Sequence, residues 1–152
     1  MSRVEERLHA LGMELPECPI PVAAYVVAQK HGSLIFVSGQ TAQLDGKPAF
    51  VGKVGGEISP EEAYESAKLC ALRCVSELRS VADLDQVRIL KVLGFVNAVP
   101  EFGDHPRVMN GASELLERIF LERGKHARSA IGVGSLPGGA SVEVELIASV
   151  EE

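Results

Sequence analysis

The chain has 152 residues, enough for one domain with a real core. Apolar residues make up 46% of it, which argues against disorder, and 15 Lys+Arg against 21 Asp+Glu leave a net charge of −6. This acidic balance, with a pI of about 5.3, argues against broad binding to nucleic acid or anionic membranes, since both need a basic footprint. Aromatics at 5%, with no Trp, leave little material for base-stacking platforms.

At the N-terminus, Ser2 followed by Glu5 matches a capping box. Val4, Leu8 and Leu11 then fall on one face, and Gly12 is placed to end the helix in the left-handed region, so a short amphipathic helix is predicted over 3–11. Residues 1–16 read as a helical extension of a single domain spanning 1–152, with the Pro16–Pro21 stretch as the linker into a sheet. Residues 22–30 are expected to form a strand, His31-Gly32-Ser33 a turn, and the apolar run 34–38 a strand covered on both faces. Asp45-Gly46 marks a turn, and the Gly-rich stretch to Gly56 has room for a short strand at Phe50-Val51.

Ser59-Pro60-Glu61-Glu62 supplies N-cap, N1 and capping-box residues for a long helix. Its buried stripe would be Ala63, Ala67, Cys70, Ala71, Cys74, Val75 and Leu78, mostly small side chains that let it lie close on a sheet. Val87 to Ala98 reads as a strand. A second helix opens near His105-Pro106, buries Val108, Ala112, Leu115, Leu116, Ile119 and Phe120, and closes at Gly124. Two closing strands follow, about 129–135 and 141–150, expected to run antiparallel about the Pro137-Gly138-Gly139 turn. The order strands, helix, strand, helix, strands predicts an α+β class: one mixed sheet with two helices packed on one face, plus the short N-terminal helix.

Cys18, Cys70 and Cys74 are odd in number, and the last two are four apart on a helix face. They read as small buried residues in a reducing compartment. A Cys70/Cys74 metal pair lacks well-spaced partners, so no metal is expected. The opening Met-Ser-Arg-Val-Glu-Glu lacks an apolar h-region and no long apolar stretch follows, so the expectation is a cytoplasmic protein.

On the last strand Val142, Val144, Leu146, Ala148 and Val150 alternate with Glu143, Glu145, Ile147 and Ser149. The second set is mixed, so the helix-free face is either partly covered by another subunit or an open surface with a polar lining. If the last two strands formed a hairpin, Arg128 would lie roughly 20 Å from Glu143 along the strands. They would then belong to different sites, or subunits would combine to join them.

A guanidinium on a strand suits a carboxylate through two parallel hydrogen bonds, and a nearby glutamate can move a proton. The pieces Tyr25-Val26, Phe36-Val37-Ser38-Gly39-Gln40, Asn110, Ala127-Arg128-Ser129 and Leu136-Pro137 followed by Val142-Glu143-Val144-Glu145 occur in an order and spacing that resembles the YjgF/RidA family, also known as endoribonuclease L-PSP. The resemblance covers roughly residues 17–150. It implies a chorismate-mutase-like fold, a homotrimer with ligand clefts between subunits, and cofactor-free hydrolysis of reactive enamines and imines such as 2-aminoacrylate to 2-keto acids and ammonia. By the same resemblance Arg128 clamps the carboxylate of a small-molecule substrate and Glu143 positions and deprotonates water. Tyr25, Ser38 and Asn110 line the cleft, and the backbone near Gly39 helps to hold the ligand.

The chain departs from that pattern in four places. Ala130 stands where the family's deaminases usually carry cysteine. Ala23-Ala24 replaces a usual Gly-Pro. The N-terminal helix and the Gly-rich 52–56 stretch are additions. A divergent subgroup with an altered pocket is the expectation. Arg128 also reads as an interface ion-pair partner of Glu143 or Glu145, Glu143 as a solvated side chain, Tyr25 as a half-buried strand aromatic, and Asn110 as a cap or surface residue. A trimer that binds a small carboxylate without turnover is the alternative function. An endoribonuclease is disfavoured by the acidic pI and by the lack of a catalytic His pair or basic stripe.

Overall fold

In the computed structural model, which describes residues 1–151, helix α1 spans Arg3–Ala10. Both halves of the predicted capping box form there: the Ser2 hydroxyl accepts from the Glu5 amide and the Glu5 carboxylate accepts from the Ser2 amide. Gly12 follows at φ +76°, the left-handed conformation that closes the helix. Val4 and Leu8 are fully buried, and Arg7 Nε donates to the Ile119 carbonyl at 2.6 Å, which ties the extension to the body of the protein.

The main sheet has five strands, β1 (Ala28–His31), β2 (Leu34–Thr41), β5 (Val87–Asn97), β6 (Ala127–Val133) and β7 (Val142–Val150). Their spatial order is β1-β2-β7-β5-β6. All neighbours are antiparallel except β5 and β6, so the sheet is mixed, as expected. Helices α2 (Pro60–Val81) and α3 (His105–Phe120) cover one face, α2 over β2 and β7 and α3 over β5 and β6. The α+β architecture read from the sequence is the one observed.

Three local expectations are corrected. Residues 22–27 are irregular, all exposed but the half-buried Val27, with Ile20, Val22, Tyr25 and Val26 facing outward, and β1 begins only at Ala28. An apolar run alone does not select a strand when its backbone finds no ladder partner. The Gly-rich stretch holds no strand at Phe50-Val51. Phe50 has positive φ and Val51 makes a lone bridge to Ala140, whereas the small hairpin is β3 (Gln43–Leu44) with β4 (Lys47–Pro48) about Asp45-Gly46. Helix α3 stops at Phe120, and a 3₁₀ turn, Leu121–Gly124, completes the descent. A Cβ on Gly124 would lie 2.3 Å from the Leu116 carbonyl oxygen, so the glycine is required there by close packing.

The largest correction concerns the two closing strands. They do not pair, because β5 lies between them, parallel to β6 and antiparallel to β7. The Pro137–Gly139 segment is a 3₁₀ turn within a connection that passes the end of β5. Since α3 connects the parallel pair β5 and β6, these three elements form a βαβ unit.

The predicted stripe of α2 is buried throughout. The Cys70 and Cys74 thiols face the β7 carbonyls of Val142 and Val144 at 3.5 and 3.3 Å, and burial pushes both thiols well above the usual range. Gly111 lets α3 approach α2, since a Cβ there would sit 2.0 Å from the Tyr64 carbonyl oxygen.

One residue of α2 breaks the apolar pattern. Glu77 is fully buried, and among the described residues neither carboxylate oxygen has a hydrogen-bond partner. Burial pushes its carboxyl up to about 8, against the opposing pull of the Arg73 charge. The folded state therefore holds a proton that the unfolded chain releases near 4.5, so folding stability falls as pH rises from about 4.5 to 8. Glu77→Gln should remove that component, on the order of a few kcal/mol. Urea unfolding at pH 5 and pH 8 checks this: the gap between variant and wild type should open in the variant's favour at pH 8. An equal gap at both pH values would show that folding does not raise the titration point of Glu77.

Candidate functional site

The alternation of each strand decides which sheet face a side chain joins. Val142, Val144 and Leu146 of β7 pack under the helices, so Glu143, Glu145 and Ile147 line the helix-free face. Across the register, Phe95 lies beside Glu143, Leu93 beside Glu145 and Phe36 beside Ile147. Leu34, Phe36 and Ile131 are exposed apolar side chains.

On that face β2 carries an irregularity between Val37 and Gln40, which turns Gln40 into the core and presents Ser38 and Gly39 at the surface. The Ser38 hydroxyl donates to the Val26 carbonyl at 2.6 Å and its amide donates to the Val27 carbonyl, which anchors the segment that carries Tyr25. The Glu143 carboxyl lies over Gly39, where a Cβ would come within 3.1 Å of it. Glu143 is half-buried, and its carboxyl is held above the usual carboxylate range, first by desolvation and second by the like charge of Glu145. Gly39 and Glu143 thus meet directly, Ser38 adjoins them in the chain, and Tyr25 is exposed on the segment that Ser38 anchors.

Arg128 belongs to a second. It pairs in register with Val92, a core residue, and so points to the helix side at the sheet edge. Its Nη1 donates to Asn110 Oδ1 at 3.0 Å and Ser113 Oγ at 3.1 Å, and its Nη2 to the Pro106 carbonyl at 3.4 Å. A guanidinium has five N–H donors, so these three bonds leave two without a protein acceptor. Among the described residues no carboxylate forms an ion pair with Arg128. Ala130, two residues on, shares this face beside Gly94, and Met109 fills the space over that glycine. Ser129 faces the other way and accepts from Lys91 Nζ at 3.4 Å.

Arg128 and Glu143 are therefore on opposite faces of the sheet. They pair with Val92 and Phe95 on the two sides of β5, three residues apart along the strand and two strand spacings across. That places their Cα atoms roughly 14 Å apart, nearer than a hairpin would put them but with side chains diverging. The structure brings Asn110 to Arg128, brings Ser38 and Gly39 to Glu143, and does not join the two groups within one chain.

Sequence reasoning missed Ser113 and gave His126 no role, yet both belong to the Arg128 cluster: Ser113 Oγ lies 2.8 Å from His126 Nε2. The signal was present in the spacing, since Ser113 follows Asn110 by three on a helix and His126 precedes Arg128 by two. Among the described residues no group of three His, Cys, Asp or Glu gathers as a metal site, and no helix is long and apolar enough to cross a membrane.

Replacing Glu145 by Gln should lower the titration point of the Glu143 carboxyl while leaving it above the ordinary range, because the larger cause, burial, remains. Carbon-detected NMR titration of labelled glutamate checks this. An unmoved Glu143 signal would remove the like-charge contribution.

Comparison with known proteins agrees with this geometry. A model described as "YjgF/chorismate mutase-like, putative endoribonuclease" matches residues 5–150. Protein TCP17 of Trypanosoma cruzi is 39% identical over 149 residues, covering 96% of this chain and 93% of that protein. A protein of Dermatophagoides farinae named 2-iminobutanoate/2-iminopropanoate deaminase is 25% identical, covering 90% and 93%. The crystal structure of Atu1372 from Agrobacterium tumefaciens superposes with a TM-score of 0.92 at 39% identity, covering 98% of this chain and 93% of that one. With nearly the whole chain matched, and with the sheet order and helices already placed, the protein belongs to the YjgF/RidA family.

Proposed function

We propose that the protein hydrolyses small enamines and imines bearing a carboxylate, of the 2-aminoacrylate type, to 2-keto acids and ammonia. The observation that carries this reading is Arg128. Asn110, Ser113 and the Pro106 carbonyl fix its guanidinium, which keeps two N–H donors for a ligand, the number that a carboxylate takes up in a bidentate pair. The name of the 25% identical mite protein supports the same chemistry.

In this mechanism Arg128 holds the substrate carboxylate. The enamine tautomerises to the imine, and protonation of its nitrogen makes the imine carbon electrophilic. Glu143 takes a proton from water as the oxygen adds to that carbon. Glu143 passes that proton to the carbinolamine nitrogen; its carboxylate then takes the hydroxyl proton as the C=O bond forms and the C–N bond breaks, releasing ammonia and the 2-keto acid. A carboxyl raised by burial is a stronger base than an exposed one, which suits this step. Since Arg128 and Glu143 diverge within one chain, the site forms where the Arg128 edge of one subunit meets the Glu143 face of the next. A homotrimer closes such a repeat, and the exposed Leu34, Phe36 and Ile131 supply apolar surface for it.

A second reading, carboxylate binding without turnover, is favoured by the same divergence, because it needs Arg128 and not Glu143. The endoribonuclease activity in the description of the family model has little support here, since the net charge of −6 opposes a polyanion.

The test is to generate 2-aminoacrylate in situ with a pyridoxal-phosphate lyase and measure pyruvate release with and without the protein. Arg128→Ala should abolish the acceleration with the oligomer intact by light scattering; a monomeric variant would make the arginine structural. Glu143→Gln should lower kcat by about 10²-fold or more with less effect on KM. An unchanged kcat would leave the binding reading.

A further inference from the structure

Three hydrogen bonds run in one direction through the Arg128 cluster, and a fourth branches from the guanidinium to Asn110. His126 Nδ1 lies 2.6 Å from the Gly124 carbonyl oxygen, which only accepts, so Nδ1 carries the ring proton of the neutral imidazole. Nε2 is then the acceptor, and the Ser113 hydroxyl donates to it at 2.8 Å. The Ser113 oxygen in turn accepts from Arg128 Nη1 at 3.1 Å, while the same nitrogen donates to Asn110. Every donor in the series has an acceptor, and each bond polarises the next. The geometry is poor for a serine nucleophile: Ser113 is nearly buried, and its oxygen is occupied by a cation.

We propose that Ser113 and His126 are positioning residues that aim the guanidinium of Arg128, and that acid loosens its grip on a carboxylate by reversing their hydrogen bonds. This inference rests on Arg128 as the carboxylate clamp. When His126 gains a proton, Nε2 becomes a donor. The Ser113 oxygen then faces two cationic donors, the imidazolium and the guanidinium, and its own proton loses its acceptor. The bond to Arg128 Nη1 weakens, and Asn110 and the Pro106 carbonyl alone hold the side chain. The charged groups on the surrounding elements are Arg107, Glu114, Glu117 and Arg118 on α3, Glu122 and Arg123 on the 3₁₀ turn, Lys125 after it, Arg88 and Lys91 on β5, and Arg128 on β6; among the described residues none of them hydrogen-bonds to the imidazole.

The probe is pyruvate, a small unreactive 2-keto acid, with affinity measured by calorimetry at pH 8 and pH 6. The wild type should bind about two- to tenfold more weakly at pH 6, the size of one lost hydrogen bond. Ser113→Ala should bind weakly at both values, Ser113→Thr should restore the pH 8 affinity, and His126→Gln should lose the pH dependence. Nitrogen-15 NMR of the free protein reads the relay without any ligand. Wild type should show His126 protonated at Nδ1 and a slowly exchanging Arg128 Nη1 signal that Ser113→Ala broadens. An Nε2-protonated tautomer, or an Arg128 signal and pyruvate affinity indifferent to Ser113→Ala, would overturn the proposal. If pyruvate fails to bind the wild type while the NMR signals follow the expected pattern, the positioning of Arg128 by Ser113 and His126 is upheld and its use as a carboxylate clamp falls.

Discussion

Strand β5 hydrogen-bonds to β7 on one side and to β6 on the other, and the separation of the two functional clusters follows from that placement. Had β6 and β7 paired directly, Arg128 and Glu143 would lie on adjacent strands. With β5 between them, the pleat directs the arginine to the helix side and the glutamate to the open side. A chain built this way holds half of a carboxylate-processing site at its edge and the other half on its exposed face.

The parallel pairing of β5 and β6 also explains why the edge half is so firmly organised. Parallel neighbours need a crossover, and here the crossover is α3. The helix that must exist to return the chain also lies over β6, which brings Asn110 and Ser113 within reach of the guanidinium. Gly111, between them in sequence, packs against the α2 backbone. One short stretch of α3 thus seats the helix with one residue and orients the arginine with its neighbours.

The local signals in the sequence proved reliable where chemistry is local. The capping boxes at Ser2 and Ser59 have fixed spacing, and both form. The small-residue stripe of α2 and the alternation of β7 depend on periodicity alone, and both were legible. Pairing is different. Pro137-Gly138-Gly139 carries the residues of a tight turn, but nothing in it reveals that another strand occupies the space between the segments that it joins. For the same reason the expected strand over 22–30 forms only from Ala28: the apolar character of 22–27 is real, but those residues pair in no ladder. Of the candidate site, the residues were legible from motif order, whereas their division between two faces required the register.

The contact between Gly39 and Glu143 ties two distant positions to a common history. Gly39 has no need of a left-handed backbone, so its lack of a side chain is set by the carboxyl above it. A side chain at 39 would press the Glu143 carboxyl out of its present place by a few tenths of an ångström or more, and a lineage that loses the acid is freed of that constraint. The two positions should drift as a pair, and the residue at 39 becomes a record of whether the acid at 143 is still in use.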